Sequence, residues 1–297
     1  MRLTRRAPTL CARAKVNLYL HVAAPDARGY HPLQSLVIFA DIGDEVSLFE
    51  TEPSAEILRP ELSLSGPFAA GLGTGEDNLI LKAVRAFEAA AGCRVNRHAI
   101  HLVKTLPIAS GLGGGSADAG AVLHLLRDAY APDMDDEALG AIAAKTGADG
   151  VMCLWARSSL AEGYGERLTP VALPSVAAVL VNPGVECSTA EVYRGFDAQG
   201  HFSRLDSVAK DIVNVEDLTN FLERTRNDLQ APAVAMQPVI GEVLNALAAQ
   251  PETLFARMSG SGATCFALCR SDAEAQALGH RMQLAWPGAW VAPCRLG

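Results

Sequence analysis

The 297-residue sequence has little that would tie it to a membrane, a disulfide framework or a nucleic acid. None of its apolar runs approaches the ~20 residues that cross a bilayer. The N-terminus carries arginines with no apolar stretch behind them, so no secretory signal is expected. The seven cysteines, at 11, 93, 153, 187, 265, 269 and 294, are odd in number and scattered. They form no Cys-x-x-Cys, which argues against a disulfide framework and a zinc site and fits thiols of a reducing cytoplasm. Cys265 and Cys269 fall in a strand-like apolar run and read as core. The net charge is -8, and the only basic cluster is Arg2, Arg5 and Arg6, so no nucleic-acid partner is expected. No internal repeat or low-complexity segment is present. His98 and His101 look like a metal pair, but three-residue spacing on a strand puts them on opposite faces.

What is abundant is glycine in one place. From Leu106 to Asp118 the chain reads Leu-Pro-Ile-Ala-Ser-Gly-Leu-Gly-Gly-Gly-Ser-Ala-Asp, and four of the five residues Gly111 to Gly115 are glycine. The apolar segment 99–103 precedes it. An amphipathic run follows, with Ala121, Val122, Leu125, Leu126 and Ala129 at helical spacing. A strand, a glycine loop and a helix N-terminus in that order make an anion site: glycines let the backbone approach closely, and first-turn N–H groups point at the ligand. Ser116 can cap the helix or face the phosphate and its metal ion. No lysine follows the glycines, which excludes a P-loop. The spacing also fails Gly-x-Gly-x-x-Gly, which excludes a dinucleotide loop. A flexible linker is the plain alternative, but linkers are polar on both sides and this segment is not.

Around this loop the sequence alternates strands and helices without a regular βαβ rhythm, so the expected class is α+β. Strands are expected at 36–39 and 45–49, parted by the turn residues Asp41, Gly43 and Asp44. A helix should open at Asp77-Asn78 and stop at Gly92, and others should run to Tyr130 and over 136–146. Beyond a boundary near 156, Val176–Val181 reads as a strand. A helical region should run from Asn227-Asp228-Leu229 to about 249. Two strands should flank Ser259-Gly260-Ser261-Gly262, and a last helix should cover 273–284.

Few residues stand out chemically. Lys15 and Asn17 share a face if 14–22 is a strand. Lys15 is then either a solvent-facing edge lysine or a cation aimed into a site, since burying it unpaired is expensive. Asp149, in Thr146-Gly147-Ala148-Asp149-Gly150, is an ordinary turn aspartate unless a phosphate loop and a lysine stand nearby. Phosphoryl transfer to an alcohol needs a phosphate cradle, a cation, usually Mg2+, and often a carboxylate near the attacking hydroxyl, and the chain has a candidate for each. Tyr30 and His31 lie on an expected loop, and Tyr193 follows the loop from 183 to 189. They either pack or sandwich a base. Ser259 to Ala263 is either a hairpin turn or a backbone that approaches the phosphate loop.

Three segments in order resemble the motifs of the GHMP kinase superfamily. They are Ala14-Lys15-Val16-Asn17-Leu18, then Pro107-Ile108-Ala109-Ser110-Gly111-Leu112-Gly113-Gly114-Gly115-Ser116-Ala117, and Met258-Ser259-Gly260-Ser261-Gly262-Ala263. Further segments resemble the members that act on a cytidine-bearing alcohol. These are Arg28-Gly29-Tyr30-His31-Pro32-Leu33-Gln34-Ser35-Leu36, Glu76-Asp77-Asn78-Leu79-Ile80, Asn182-Pro183-Gly184-Val185 with Thr189 and Tyr193, and Asn227-Asp228-Leu229.

The resemblance implies a two-domain fold, an ATP-binding domain over 1–155 and a domain over 156–297 that contributes to substrate binding, with the site in the interdomain cleft. It implies ATP and Mg2+, and a small substrate bearing cytidine diphosphate; oligomeric state stays open. It makes Asp149 the base and Lys15 its cationic neighbour, while residues 107–117 hold the ATP phosphates and Asn78 and Lys104 lie near the nucleotide. Tyr30 and Tyr193 would sandwich cytosine, His31 would read its edge, Asn17 and Thr189 would touch substrate, and Ser116 is the metal candidate. A different alcohol substrate, or a nucleotide-binding regulator without catalysis, is the alternative. One departure is visible: Asp149 is followed by Gly150-Val151-Met152 where the family usually has Val-Pro and an apolar residue. A glycine there suggests a looser Asp149.

Overall fold

The computed structural model describes residues 8–51, 60–206 and 211–297; the Arg2, Arg5 and Arg6 cluster lies outside them. The elements run β1 (Thr9–Val22), β2 (Leu33–Glu50), β3 (Leu62–Ser65), α1 (Leu79–Ala91), β4 (His98–Val103) and α2 (Gly114–Tyr130). Next come α3 (Asp136–Ala143), α4 (Gly150–Trp155), β5 (Ser159–Gly163), β6 (Arg167–Pro170), β7 (Val176–Asn182) and α5 (Thr189–Gln199). The chain ends with α6 (Val215–Leu222), α7 (Gln230–Met236), α8 (Pro238–Ala248), β8 (Phe255–Met258), β9 (Cys265–Cys269), α9 (Asp272–Ala285) and β10 (Trp290–Leu296). Helices with antiparallel and parallel strand pairs make this an α+β protein. Among the described residues no helix is long and apolar enough to cross a membrane.

The chain forms two compact units that interleave along the sequence. Among the described residues, one comprises 8–14, 42–51, 60–108 and 113–156, the other 15–41, 109–112, 157–206 and 211–297. In the first unit, β4 pairs antiparallel with the second half of β2 (Glu45↔Val103 to Glu50↔His98) and parallel with β3. Helix α1 starts at Asn78, whose side chain accepts from Ile80 N at 2.9 Å, and ends at left-handed Gly92. Helix α2 is buried over most of its middle, and a Cβ on Gly120 would lie 2.9 Å from Leu154 Cα, so glycine lets α2 and α4 cross closely.

In the second unit β7, buried along its whole length, pairs antiparallel with β10 on one side and β9 on the other. β8 extends this sheet beside β9, and the first residues of β2 pair with β5. Val179, Val181, Cys265, Ala267, Val192, Ile240, Val243, Leu247 and Leu278 form one apolar cluster. Each such fully buried Val, Leu or Ile contributes about 1.5–3 kcal/mol.

One sequence expectation changes. The turn at 41–44 does not exist, because β2 is one strand from Leu33 to Glu50. Gly43 is there for proximity, since a Cβ would meet Ala12 O at 2.1 Å, and Asp44 is fully buried in an ion pair. Tyr193 follows the loop that ends at 188, as expected, and lies within α5, and the helical region expected from 227 to about 249 is present as α7 and α8, with Pro238 starting α8.

Candidate active site

The loop after β4 is held in more than one way. In the second unit, the three successive carbonyls of residues 110–112 are bonded: Ser110 O accepts from Thr264 N (3.2 Å), Gly111 O from Ser259 Oγ (3.1 Å) and Leu112 O from Lys15 N (2.8 Å). Gly111 has φ 77°, and a Cβ there would sit 2.4 Å from Ser259 O and 2.9 Å from Gly262 O. The stretch 259–262 is therefore both the β8–β9 connection and a backbone that grips residues 110–111.

Beside this contact runs a buried polar chain on one face of β1. Lys15 Nζ donates to Asn17 Oδ1 at 2.8 Å, Asn17 Nδ2 to Ser35 Oγ at 2.7 Å, and Ser35 Oγ to Tyr19 O at 2.6 Å. Asn17 N donates to Ser259 Oγ at 3.1 Å. Lys15 and Asn17 are buried, so the edge-lysine reading fails. Ser35 and Ser259 lie in segments the sequence marks, but the role of their hydroxyls was not legible there, because a serine carries no periodic signal. Asn227 holds the far side of the stretch, donating from Nδ2 to Met258 O and Gly260 O, both at 2.8 Å.

In the first unit the rest of the loop opens α2. The N-cap is Gly113, left-handed at φ 66°, and no side chain caps the helix. Ser116 sits in the first turn and is not the cap. The N–H groups of the first turn lack intrahelical acceptors by geometry and present partial positive charge.

Beneath them lies an ion triad: Lys104 Nζ donates to Asp44 Oδ2 at 2.5 Å and to Asp118 Oδ2 at 2.8 Å, all three buried. Asp44 Oδ1 also accepts from Thr105 N (2.6 Å) and Leu106 N (2.8 Å), which fixes the chain just before the loop. A Cβ on Gly114 would approach Lys104 Nζ to 3.0 Å. Burial opposes the Lys104 charge, but Asp118 and then Asp44 outweigh it and the ammonium pKa is raised. Burial, then the neighbouring Asp44, raise Asp118, with Lys104 opposing, and its Oδ1 has no hydrogen-bond partner among the described residues. Neither aspartate was singled out from sequence. The available signal was Asp44, a carboxylate in an apolar strand, which requires a cation.

Asp149 stands at the start of α4, half-buried. Its carbonyl accepts from Cys153 N at 2.9 Å, and its carboxylate makes no capping bond to the helix. The glycine after it serves close packing. A Cβ on Gly150 would lie 2.1 Å from Ala143 O and 2.7 Å from Thr146 Oγ1, so glycine lets α4 start against the preceding turn. Packing thus gives Gly150 a reason other than backbone freedom at Asp149.

The aromatic residues form a separate group in the second unit. His31 places Nδ1 2.8 Å from Ala23 O and Nε2 3.0 Å from Asp197 Oδ1. Its ring lies 5.4 Å from Tyr193, with Phe196 and Phe202 also beside it. Tyr30 is 64% exposed and meets Tyr164. Thr189 Oγ1 is 2.8 Å from Ser261 Oγ, tying the start of α5 to the second glycine stretch. Asn78 spends its amide on Gly73 O at 2.7 Å and its oxygen on capping α1. His98 bonds Tyr130, and His101 bonds Ser63 and Ser65. Among the described residues no group of three His, Cys, Asp or Glu is placed to hold a metal.

A glycine loop opening a helix, a buried lysine beside it and a second glycine stretch gripping it are the parts of a GHMP kinase, and residues 78–157 match the GHMP kinases N terminal domain while 205–288 match the GHMP kinases C terminal. A homoserine kinase structure from Cytophaga hutchinsonii shares the fold at a TM-score of 0.68 with 19% identity, over 99% of this chain and 97% of that one. The crystal structure of a 4-(cytidine 5'-diphospho)-2C-methyl-D-erythritol kinase superposes with a TM-score of 0.75 at 33% identity, over 98% of this chain and 99% of that one. The 4-diphosphocytidyl-2-C-methyl-D-erythritol kinase of Caulobacter vibrioides (strain NA1000 / CB15N) is 50% identical over 300 residues, covering 100% of both chains. The chain belongs to the 4-diphosphocytidyl-2-C-methyl-D-erythritol kinase family.

Proposed function

We propose that the protein transfers the γ-phosphoryl group of ATP to the 2-hydroxyl of 4-diphosphocytidyl-2-C-methyl-D-erythritol, giving the 2-phosphate and ADP, a step of the non-mevalonate route to isoprenoids. The observation that carries this reading is 50% identity over the full length of a kinase of that name, combined with an intact loop, Lys15 and Asn17.

In this reading residues 107–117 cradle the phosphates through backbone N–H groups at the start of α2. Lys15 supplies positive charge for the transferring phosphoryl group, held to its task by Asn17 and Ser35. Asp149 takes the proton of the attacking hydroxyl, and most of its contribution is positioning. Tyr30 and Tyr193 stack on cytosine, His31 reads its edge, and Asn17 and Thr189 contact the substrate. Asn78 and Lys104 lie near the nucleotide. The division of labour is ATP binding by 1–155 and a contribution to substrate binding by 156–297.

Mg2+ fits these residues as an ion carried mainly by the nucleotide, since such sites need only one or two protein oxygens. The Ser116 hydroxyl, in the first turn of α2, is the group that would hold it. When bound it neutralises charge on the phosphates. Seven free thiols support a cytoplasmic setting.

The test is ADP release from ATP by the wild-type protein with the cytidyl alcohol, against homoserine, mevalonate and galactose. Turnover with the cytidyl alcohol alone is expected. Binding of ATP with no ADP from any alcohol would refute the reading.

A further inference from the structure

The loop between β1 and β2 that carries Tyr30 is shaped by one carboxylate. Asp26 Oδ1 accepts from the N–H groups of Arg28 (2.8 Å) and Tyr30 (3.0 Å), the side-chain turn that aspartate forms with its own downstream backbone. Its other oxygen accepts from Arg28 Nε at 2.9 Å and from the phenol of Tyr164 at 2.7 Å. Tyr164 comes from the turn between β5 and β6. That turn is itself held: Tyr164 N donates to Glu166 Oε2 at 2.6 Å, between left-handed Gly163 and Gly165. The two tyrosine rings meet edge to face with centroids 6.2 Å apart, and the Arg28 guanidinium lies 5.7 Å from one centroid and 5.1 Å from the other.

These contacts do not bury the rings. Tyr30 is 64% exposed and Tyr164 is 37% exposed, both among the exposed large hydrophobics of the described residues. A core role would cover them. A network that holds the backbone and ring of a tyrosine in place and leaves most of the side chain exposed does what a binding platform requires: it removes ordering entropy before the ligand arrives.

We propose that Tyr164, acting through Asp26, is a positioning residue that presets Tyr30 for the base of the cytidine-bearing substrate. This rests on the reading of Tyr30 as a base platform. Neither Tyr164 nor Asp26 carries a periodicity or motif signal, and the hydrogen bond that joins them exists only in the folded chain.

The test compares Tyr164→Phe, Asp26→Asn, Tyr30→Ala and the double variant Tyr30→Ala/Tyr164→Phe by steady-state kinetics and thermal unfolding. Tyr164→Phe keeps the ring and deletes only the hydrogen bond to Asp26. It is expected to raise KM for the cytidyl alcohol about fivefold, the scale of one exposed charge-assisted hydrogen bond. KM for ATP, kcat and Tm should stay close to wild type, which a general structural defect would not allow. Asp26→Asn should shift the same KM, and Tyr164→Phe should add nothing in the Tyr30→Ala background. Unchanged cytidyl KM in Tyr164→Phe, with a raised value in Tyr30→Ala, would overturn the positioning role and leave the platform reading standing. Unchanged cytidyl KM in Tyr30→Ala would overturn the platform reading and this inference with it.

Discussion

Replacing Lys104 with methionine isolates the buried ion triad from the nucleotide chemistry. Methionine is close in length to the lysine stem and removes only the ammonium. The two aspartates then fare differently. Asp44 keeps the backbone donors Thr105 N and Leu106 N, at 2.6 and 2.8 Å. Asp118 loses the Lys104 contact at 2.8 Å, and its Oδ1 already has no hydrogen-bond partner among the described residues. The damage therefore falls mainly on Asp118, a buried carboxylate stripped of its cation. Breaking such a pair costs about 3–5 kcal/mol, a large share of the ~5–15 kcal/mol that holds a typical domain together.

Urea unfolding of Lys104→Met should show a clear drop in midpoint, and Lys104→Met/Asp118→Asn should recover much of it because the stranded charge is gone. An unchanged midpoint in the single variant, or no recovery in the double, would refute the assignment of the cost to Asp118. The double variant also tests the expected nucleotide role. An unchanged KM for ATP in a well-folded double confines Lys104 to supporting the loop, whereas a raised KM means that it also serves ATP.

Asp149→Asn should still bind both substrates while kcat falls about 10²- to 10⁴-fold, the usual scale for a removed general base; retained turnover would mean that another group takes the proton. Gly150→Ala places a Cβ 2.1 Å from Ala143 O, so it should lower stability by about 1–3 kcal/mol in a thermal melt and reduce kcat through its neighbour; a more stable Gly150→Ala would refute the packing role and favour a glycine kept for looseness at Asp149. The raised pKa of Asp118 gives a sign for pH: the unfolded chain releases that proton at lower pH, so stability declines as pH rises from the ordinary carboxylate range to the raised value. Asp118→Asn should flatten that part of a stability profile measured by urea unfolding at several pH values, and an unaltered slope would assign it to another group.

Much of the fold was readable because its signals are local. The helix from 79 to 91 has its Asn78 cap and Gly92 stop in the right places, and β7 is a plain apolar run. Other elements were hidden for physical reasons. Helix α5 buries only Val192 and Phe196, so its face is too narrow to stand out. Strand β10 contains Pro293 and Arg295, which break the strand pattern, and is stable because β7 pairs along it. Gly43 and Asp44 read as a turn because their types favour one. Only the close approach of Ala12 and the Lys104 ammonium explain them inside a strand.

By itself the sequence determined the chemistry that depends on local backbone: the order strand, glycine loop, helix, the absence of a P-loop lysine, and one face of β1 carrying Lys15 and Asn17. A short run of residues sets these things, because φ, ψ and side-chain alternation are properties of neighbours. Tertiary structure alone decided what each glycine serves and which charges are paired. Gly111 yields to Ser259, Gly114 to Lys104 and Gly150 to Ala143, three different surfaces that the sequence presents as one kind of residue. Asp44 and Asp118 meet Lys104 from positions 60 and 14 residues away. A buried charge is tolerable only beside its partner, and where that partner stands is settled by packing.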